Sequence, residues 1–330
     1  MFLYILLPLV MLLLIFYYWG SRGNLDPSQL HQEISFMPGQ RQSSDTFSIM
    51  TYNLGYLSGM TNNLPQNPAT GLFKANLEAV QKLLNQLQPD ILGLQEIDFC
   101  SRRSYYMNQL DSISTGYLVG IQSVNWDKNY VPFPYWPPAV HFGKMLSGQA
   151  ILSKYPVSAS ESIVLPGPEK APFYYRAFYL DRLIQVAQIS INGRAVMVFN
   201  VHLEAFDEQT REIQAGEVLR VLGQYIDEMP IILIGDFNAR PPFASARISD
   251  EKTISMFLEH PLLSPAIDRQ HYLANEKEHF TFDTNNPYEK LDYIFYTHQR
   301  IQPVKVSTVR EAGEISDHLP VFMVFTLLDD

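Results

Sequence analysis

The stretch Ile231-Ile232-Leu233-Ile234-Gly235-Asp236-Phe237-Asn238 decides the fold. Four apolar residues in a row, three of them β-branched, fit a short strand buried on both faces. Gly235 closes the run, and Asp236 and Asn238 alternate on the turn beyond it, so both side chains point to one side. A rigid strand that delivers polar groups to its rim is a good support for a preorganised site.

The same arrangement recurs outward in both directions. Phe47 to Tyr52 alternates apolar and polar residues and runs into Asn53-Leu54-Gly55. Ile91 to Gln95 is a short apolar run ending at Glu96. Gln185 to Ile191 and Arg194 to His202 flank Asn192-Gly193, a strong hairpin signal. Leu291 to Tyr296, Pro320 to Leu327 and a strand beginning at Ala150 to Leu152 complete the set. Phe73, Leu77, Val80, Leu84 and Leu87 repeat at helical spacing before Pro89, and Ala215, Val218, Leu219, Leu222 and Ile226 form a second amphipathic helix. Asn53, Glu96, His202, Asp236 and Asn238 all fall just past strand ends. Any one alone reads as an ordinary turn or cap residue. Their joint occurrence at the rim of one sheet system needs a chemical reason.

Composition narrows the chemistry. The chain has 330 residues, 46% hydrophobic and 18% charged, which is enough apolar material for a large core. A single cysteine, Cys100, excludes an intramolecular disulfide and a Cys-rich zinc site, and reads as an inert buried thiol. CxxC, HExxH, the phosphate-loop GxxxxGK[ST] and GxSxG are absent. With 24 basic against 34 acidic residues, the net charge of −10 disfavours non-specific binding to nucleic acid, although a local basic patch is compatible with it.

The amino terminus is different in kind. Phe2 to Trp19 carries no charge and one proline, Pro8. At ~1.5 Å per residue it spans ~27 Å, close to the ~30 Å hydrocarbon core of a bilayer. Tyr4 and the trio Tyr17, Tyr18 and Trp19 suit the two interfaces. A cleaved signal peptide wants a basic n-region, a shorter apolar stretch and a small-x-small cleavage site, and none is clear here. The expectation is a transmembrane anchor over residues 1–20. Residues 21–45, with Gly23, Pro27, Pro38, Gly39 and Ser43-Ser44, read as a tether. The rest, 46–330, is one catalytic domain without repeats or an internal linker. Arg22 alone would place its side of the membrane inside. An anchor ahead of a large domain fits export, and a single-pass protein with its domain on the exported (periplasmic or extracellular) side is the expectation adopted.

Six segments then carry a family likeness: Thr51-Tyr52-Asn53, Leu94-Gln95-Glu96, Asn200-Val201-His202-Leu203, Gly235-Asp236-Phe237-Asn238, Leu291-Asp292-Tyr293 and Ser316-Asp317-His318. In identity and order they resemble the endonuclease/exonuclease/phosphatase superfamily, whose fold is that of DNase I. Gly148-Gln149-Ala150-Ile151-Leu152-Ser153 adds to the likeness, which runs from Phe47 to Leu328. The resemblance implies an α/β (α+β) chain, a four-layer sandwich of two packed, mainly antiparallel β-sheets flanked by helices.

The chemistry follows from the ester. Hydrolysis of a phosphodiester builds negative charge on phosphate oxygens, so a cation must sit there. Oxygen ligands without a thiol or histidine cage suit Mg²⁺, with Mn²⁺ as the alternative. Glu96, Asn53 and Asp317 are the candidate metal ligands, and Asp236 is a candidate for a second site. The resemblance implies His318 oriented by Asp292, a water placed by Asp236 and Asn238, and His202 on the phosphate or the leaving oxygen. Which group is base and which is acid stays open. Arg102, Arg103 and Arg176 are candidate partners for phosphate charge. His31, His141, His260, His271, His279 and His298 sit in no motif and read as surface or structural.

The type of ester is less constrained. The inositol-polyphosphate phosphatases carry Cys-Asp-Arg and Asn-Tyr-Arg where this chain has Leu291-Asp292-Tyr293 and Asn238-Ala239-Arg240, so that branch is disfavoured. An N-terminal anchor is odd for a deadenylase, and abasic-site endonucleases usually have Tyr where His202 stands. DNase I-like and sphingomyelinase-like enzymes keep a His there. Tyr130 to Phe142 (YVPFPYWPPAVHF) and Ala171 to Tyr179 (APFYYRAFY) are rich in aromatics. Such stretches fit a membrane interface, a fold-back onto the core, or a stacking platform for nucleic acid. The reading adopted is a membrane-anchored, Mg²⁺-dependent phosphodiesterase acting on a phospholipid or sphingolipid headgroup. A DNA or RNA nuclease on the same fold, and a catalytically silent membrane-tethered binding module, are the alternatives.

Overall fold

The computed structural model describes residues 2–37, 44–245 and 250–329. In chain order the helices are α1 (Phe2–Ser21), α2 (Thr70–Leu87), α3 (Gln109–Ile113), α4 (Phe173–Phe178), α5 (Glu208–Leu222), α6 (Thr253–Leu258) and α7 (Arg269–Ala274). The strands are β1 (His31–Ser35), β2 (Phe47–Asn53), β3 (Ile91–Asp98), β4 (Val119–Val131), β5 (Gly143–Ser153), β6 (Val157–Val164) and β7 (Leu183–Ile191). They continue as β8 (Arg194–His202), β9 (Ile231–Asp236), β10 (Leu263–Pro265), β11 (Asp292–Thr297), β12 (Ile301–Thr308) and β13 (Val321–Leu327).

Two mixed sheets form. One has the order β1-β4-β5-β3-β2-β13-β12 and the other β10-β11-β9-β8-β7-β6. The pairs β2/β3 and β8/β9 are parallel, and the other pairs are antiparallel. Alternation along each strand then makes three apolar layers. Phe47 and Ile49 of β2 face Ile232 and Ile234 of β9 between the sheets. Met50 and Tyr52, on the opposite side of β2, pack under Phe73, Val80 and Leu84 of α2. Leu233 of β9 and Phe199 of β8 pack under Val218 and Leu222 of α5. The result is helix, sheet, sheet, helix, as the resemblance implied. The sheets meet closely: a Cβ added to Gly93 of β3 would lie 2.3 Å from Ile234 Cδ1.

The same alternation carries polar residues to the inter-sheet face at the strand ends. After Ile49 come Thr51 and Asn53, after Val198 come Asn200 and His202, and after Ile234 comes Asp236. Period two therefore explains both the core and the site from one pattern.

The amino-terminal region departs from expectation. His31–Ser35 is an edge strand paired antiparallel with β4, so this part of the expected tether belongs to the sheet. Upstream, the Asn24 and Leu25 amides both donate to Asp127 Oδ2. The strand is short and only partly buried, which leaves little apolar periodicity to read. Pro38, Gly39 and Ser43 of that expected tether lie outside the described residues. Ala150 to Leu152 ends β5 instead of beginning a strand, because the preceding Lys144-to-Gly148 segment mixes small and polar residues. Cys100 is half-buried, not fully buried.

α1 has a stretch, Tyr4–Ser21, long and apolar enough to cross a membrane, with a mean hydropathy of 1.8. Its last turns meet the rest of the protein. Phe16 packs on Tyr130 and Phe178, Tyr17 on Phe173 and Phe178, and Trp19 on Tyr130. Asn129 Nδ2 donates to the Trp19 carbonyl at 2.9 Å, which caps one orphan acceptor at the helix end.

Candidate active site

The strand ends converge on one buried cluster. Asn53 Nδ2 at the end of β2 donates to Asp236 Oδ2 at the end of β9, at 2.9 Å. His202 Nε2, at the end of β8, lies 3.5 Å from Asp236 Oδ2 and 3.9 Å from Glu96 Oε1. His318 Nδ1 is 2.9 Å from Asp292 Oδ2, and its Nε2 is 3.7 Å from Asp236 Oδ2. Asp236, Asp292 and His318 together offer ligand atoms that all lie within 4.8 Å of one another. Asn238 donates through its backbone to Asp236 Oδ1 at 2.8 Å, while its side chain donates to the Leu203 carbonyl at 3.0 Å. Asp236 is thus the hub of the cluster.

Glu96 and Asp317 form a second part. Asn62 Nδ2 donates to Glu96 Oε2 at 2.9 Å and lies 3.2 Å from Asp317 Oδ2. One amide from the loop after β2 therefore spans two carboxylates from β3 and the segment before β13. Ser316 Oγ donates to the Asn53 carbonyl at 2.8 Å, and accepts from the His318 backbone amide at 3.1 Å. That pins the Ser316-Asp317-His318 turn to the end of β2.

Backbone geometry aims these groups. Glu96 has a φ of 49° where β3 shifts register against β5, a bulge that turns its carboxylate away from the strand's alternation. Gly235 has a φ of 147°, and a Cβ there would lie 2.0 Å from the Val201 carbonyl oxygen. Only glycine lets β9 run this close to β8 one residue before Asp236.

Beneath the cluster, uncharged amides tie the sheets together. Gln95 Nε2 donates to Asn200 Oδ1 at 2.5 Å, and Asn200 Nδ2 donates to Gln185 Oε1 at 2.8 Å and to the Leu94 and Ala150 carbonyls. Gln149 Nε2 donates to the Asn200 carbonyl, and Gln185 Nε2 donates to Ser123 Oγ. These partners satisfy most of the buried amide groups, which would otherwise destabilise the core, and leave Gln149 Oε1 without one.

The site's electrostatics follow from burial and charge. Burial first, then the Asp317 charge, pushes the Glu96 carboxyl above the usual carboxylate range. Asp317 is raised by burial against the pull of His318. Asp236 is raised by burial, opposed by His318 and reinforced by Asp292. His202 is held well below the ordinary imidazole value by burial, Arg182 and His318. Its approaches to Glu96 and Asp236 are thus contacts of a neutral ring, not ion pairs. His318 goes the other way: burial alone would lower it, but Asp292 and Asp236 outweigh that and hold it well above. Two buried histidines in one cluster thus differ in charge at neutral pH.

The three arginines separate. Arg103 spends Nε and Nη2 on Asp98 at 3.1 and 3.0 Å and stacks over the Tyr56 ring. Arg102 is exposed and donates to the His141 carbonyl, in a polar groove that also holds Asn62 and Asn67. Arg176 is exposed on α4. His31 bridges Ser123 and Ser160, and His141 contacts Tyr130 Oη, both structural positions.

A second concavity opens from Glu96 in another direction. It holds about 260 Å³ and is walled by Tyr56, Phe133, Tyr175, Phe178 and Phe206, with buried Arg182 among its residues. Arg182 lies 3.7 Å from Glu204 and donates to Tyr179 Oη. Asn62, Arg182 and the inter-sheet amides were not singled out from sequence. Gln95, Gln149 and Asn200 lie within the quoted segments, and their signal was a polar residue at every second position of an apolar strand.

The chain belongs to the Endonuclease/Exonuclease/phosphatase family, which it matches over residues 50–318. It is accordingly a metal-dependent hydrolase of phosphate esters. Among solved structures, the endonuclease/exonuclease/phosphatase of Bacteroides vulgatus aligns with a TM-score of 0.58 at 18% identity, covering 86% of this chain and 99% of that one. The human Nocturnin catalytic domain with bound sulfate aligns at 0.59 and 18% identity, covering 93% and 99%. D. rerio TDP2 complexed with single-strand DNA product aligns at 0.58 and 18% identity, covering 86% and 100%. Among curated proteins no sequence matches.

Proposed function

We propose that the protein is a membrane-anchored, Mg²⁺-dependent phosphodiesterase that hydrolyses a phospholipid or sphingolipid headgroup ester. The observation that carries this reading is the seat of α1. Its aromatic end packs on Phe178, and Phe178 also walls the cavity that opens on Glu96. α1 is the single-pass anchor in this proposal, and residues 46–330 form the catalytic domain on the exported side.

The donor set fits a hard divalent cation. Glu96 and Asp317 are part-buried carboxylates that share one Asn62 amide, and Ser316 Oγ links the Asn53 carbonyl to Asp317. Bound there, Mg²⁺ supplies positive charge to the phosphate oxygens. The chain's own residues do the rest. Asp236, whose raised affinity for protons suits a base, and Asn238 position the attacking water. His318, kept cationic by Asp292, holds a phosphate oxygen. Neutral His202 is placed to hydrogen-bond the phosphate or the departing oxygen. Arg102 and Arg176, both exposed, are the candidates to meet phosphate charge, whereas Arg103 holds Asp98.

A nuclease is the competing reading, favoured by the polar groove with Arg102 and Asn62. One experiment separates them. The full chain in vesicles is assayed with Mg²⁺ and with EDTA on phosphatidylcholine, sphingomyelin and phosphatidylinositol, and on single- and double-stranded DNA and RNA. Metal-dependent lipid hydrolysis, lost in Glu96→Gln, supports the proposal. Cleavage of nucleic acid alone replaces it with the nuclease, and no turnover of any substrate leaves the binding module.

A further inference from the structure

α4 has two faces with two neighbours. Phe173 and Phe178 meet Tyr17 of α1, and Phe178 meets Phe16 as well. Tyr174, Tyr175 and Phe178 line the cavity that reaches Glu96. One turn and a half of helix, with the end of β4 beside it, therefore stands between the membrane-length helix and the catalytic carboxylate's cavity.

The cavity differs from the groove that holds Arg102 and Asn62. Its lining is mostly aromatic side chains, with Val131 and Leu180 among the rest. Its mouth carries large apolar side chains left in solvent: Tyr135 is 63% exposed, Tyr174 55% and Phe206 79%. Trp136, 78% exposed, and Phe173, 65% exposed, stand beside Tyr135 and Tyr174. Scattered exposed aromatics are ordinary, but five on three segments, one of them α4 against the apolar helix, form a patch. Tyr and Trp settle at the headgroup level of bilayers. The last turns of α1 fix the height of this patch, because they are docked against its supports.

Resting on the lipid reading above, we infer that this cavity is a binding site for the apolar stem of a bilayer-resident phosphate ester. The exposed rim sits in the membrane interface, and the stem next to the scissile phosphate enters between Tyr174 and Phe206. At ~30 Å³ for a water-sized group, the cavity takes about eight or nine such groups. That accommodates the first segment of one chain, and the remainder stays in the bilayer. The substrate class is therefore an amphiphile whose apolar part begins close to the phosphate, drawn sideways from the leaflet and not captured from solution.

The test uses the full chain reconstituted in vesicles. Tyr174→Ser with Phe206→Ser changes two exposed rim residues that belong to no part of the hydrolytic cluster. The half-saturating mole fraction of lipid substrate in the bilayer should rise at least tenfold, with turnover of soluble methyl p-nitrophenyl phosphate unchanged. In parallel, EDTA-treated protein is mixed with phosphatidylcholine carrying a photoactivatable diazirine near the glycerol end of one acyl chain. Cross-links should map to Tyr175, Phe178 or Leu180 as well as to α1. Lipid hydrolysis with an unchanged half-saturating mole fraction, and cross-links confined to α1, overturns this site and leaves the lipid reading standing. Glu96-dependent cleavage of DNA or RNA without lipid hydrolysis overturns both.

Discussion

Asp292→Asn isolates the electrostatics of the cluster. The substitution removes a negative charge 2.9 Å from His318 Nδ1 and keeps an oxygen that can accept its proton. Unit charges at that separation attract by about 6 kcal/mol at an effective dielectric of ~20. That figure is an upper bound, since Asp236 at 3.7 Å retains part of the field. The His318 value should fall toward the ordinary imidazole range. His318 should then pass from cationic to neutral at pH 7. The assay is a pH titration of the labelled imidazoles by NMR in the metal-free full chain, wild type against variant. Turnover should fall by ~10²–10⁴. The sign for stability is also set. A raised histidine stabilises the fold fully below its unfolded value of ~6.5, and that contribution is lost as pH rises through the folded value. Asp292→Asn should flatten the decline above pH ~6.5. A His318 that titrates within about half a unit of wild type would refute the assignment of its charge to Asp292.

Three other outcomes follow from the geometry. Gly235→Ala places a methyl 2.0 Å from the Val201 carbonyl oxygen, so denaturant melts should show a loss of about 2–4 kcal/mol; an unchanged midpoint would mean that β8 and β9 can separate freely. Asn62→Ala removes the amide between Glu96 and Asp317, and half-saturating Mg²⁺ should rise by ~10–100-fold in activity titrations, with an unchanged value denying Asn62 any part in holding the carboxylates. His202 is depressed, so the unfolded chain binds a proton that the fold refuses as pH drops below ~6.5. Stability should decline there, and His202→Gln should reduce the decline in melts compared at pH 7 and pH 5.5; equal declines would show that His202 is not buried neutral.

Much of this arrangement was legible because two sequence periods coincide with two physical requirements. Ile232, Ile234 and Asp236 share a face by alternation, so the rule that fills the inter-sheet core also delivers the carboxylate. Asn200 and His202 follow the same rule on β8. Residues that escaped are those whose placement depends on tertiary pairing. Asn62 sits in a loop with no periodicity and reaches Asp317, 255 positions away. Arg182 precedes β7 as an ordinary basic residue, and only the fold buries it against Glu204. β1 could not be read because an edge strand buries too little to leave an alternating pattern. The aromatic stretches divided in a way composition does not specify. Phe142 joins Trp126, Val131 and Met145 in a small core, whereas Tyr135 and Trp136 stay exposed.

The amides between the sheets make the floor of the site behave as a keyed joint. Each of Gln95, Asn200 and Gln185 presents its oxygen to one neighbour and its nitrogen to another, so the chain of bonds has a direction. Reversing one member puts oxygen against oxygen at the next. A single replacement in this joint strands a donor on one side and an acceptor on the other at ~1–3 kcal/mol each, so tolerated changes have to come as matched sets. The outer helices can drift in sequence one residue at a time. The floor changes as a block or stays as it is.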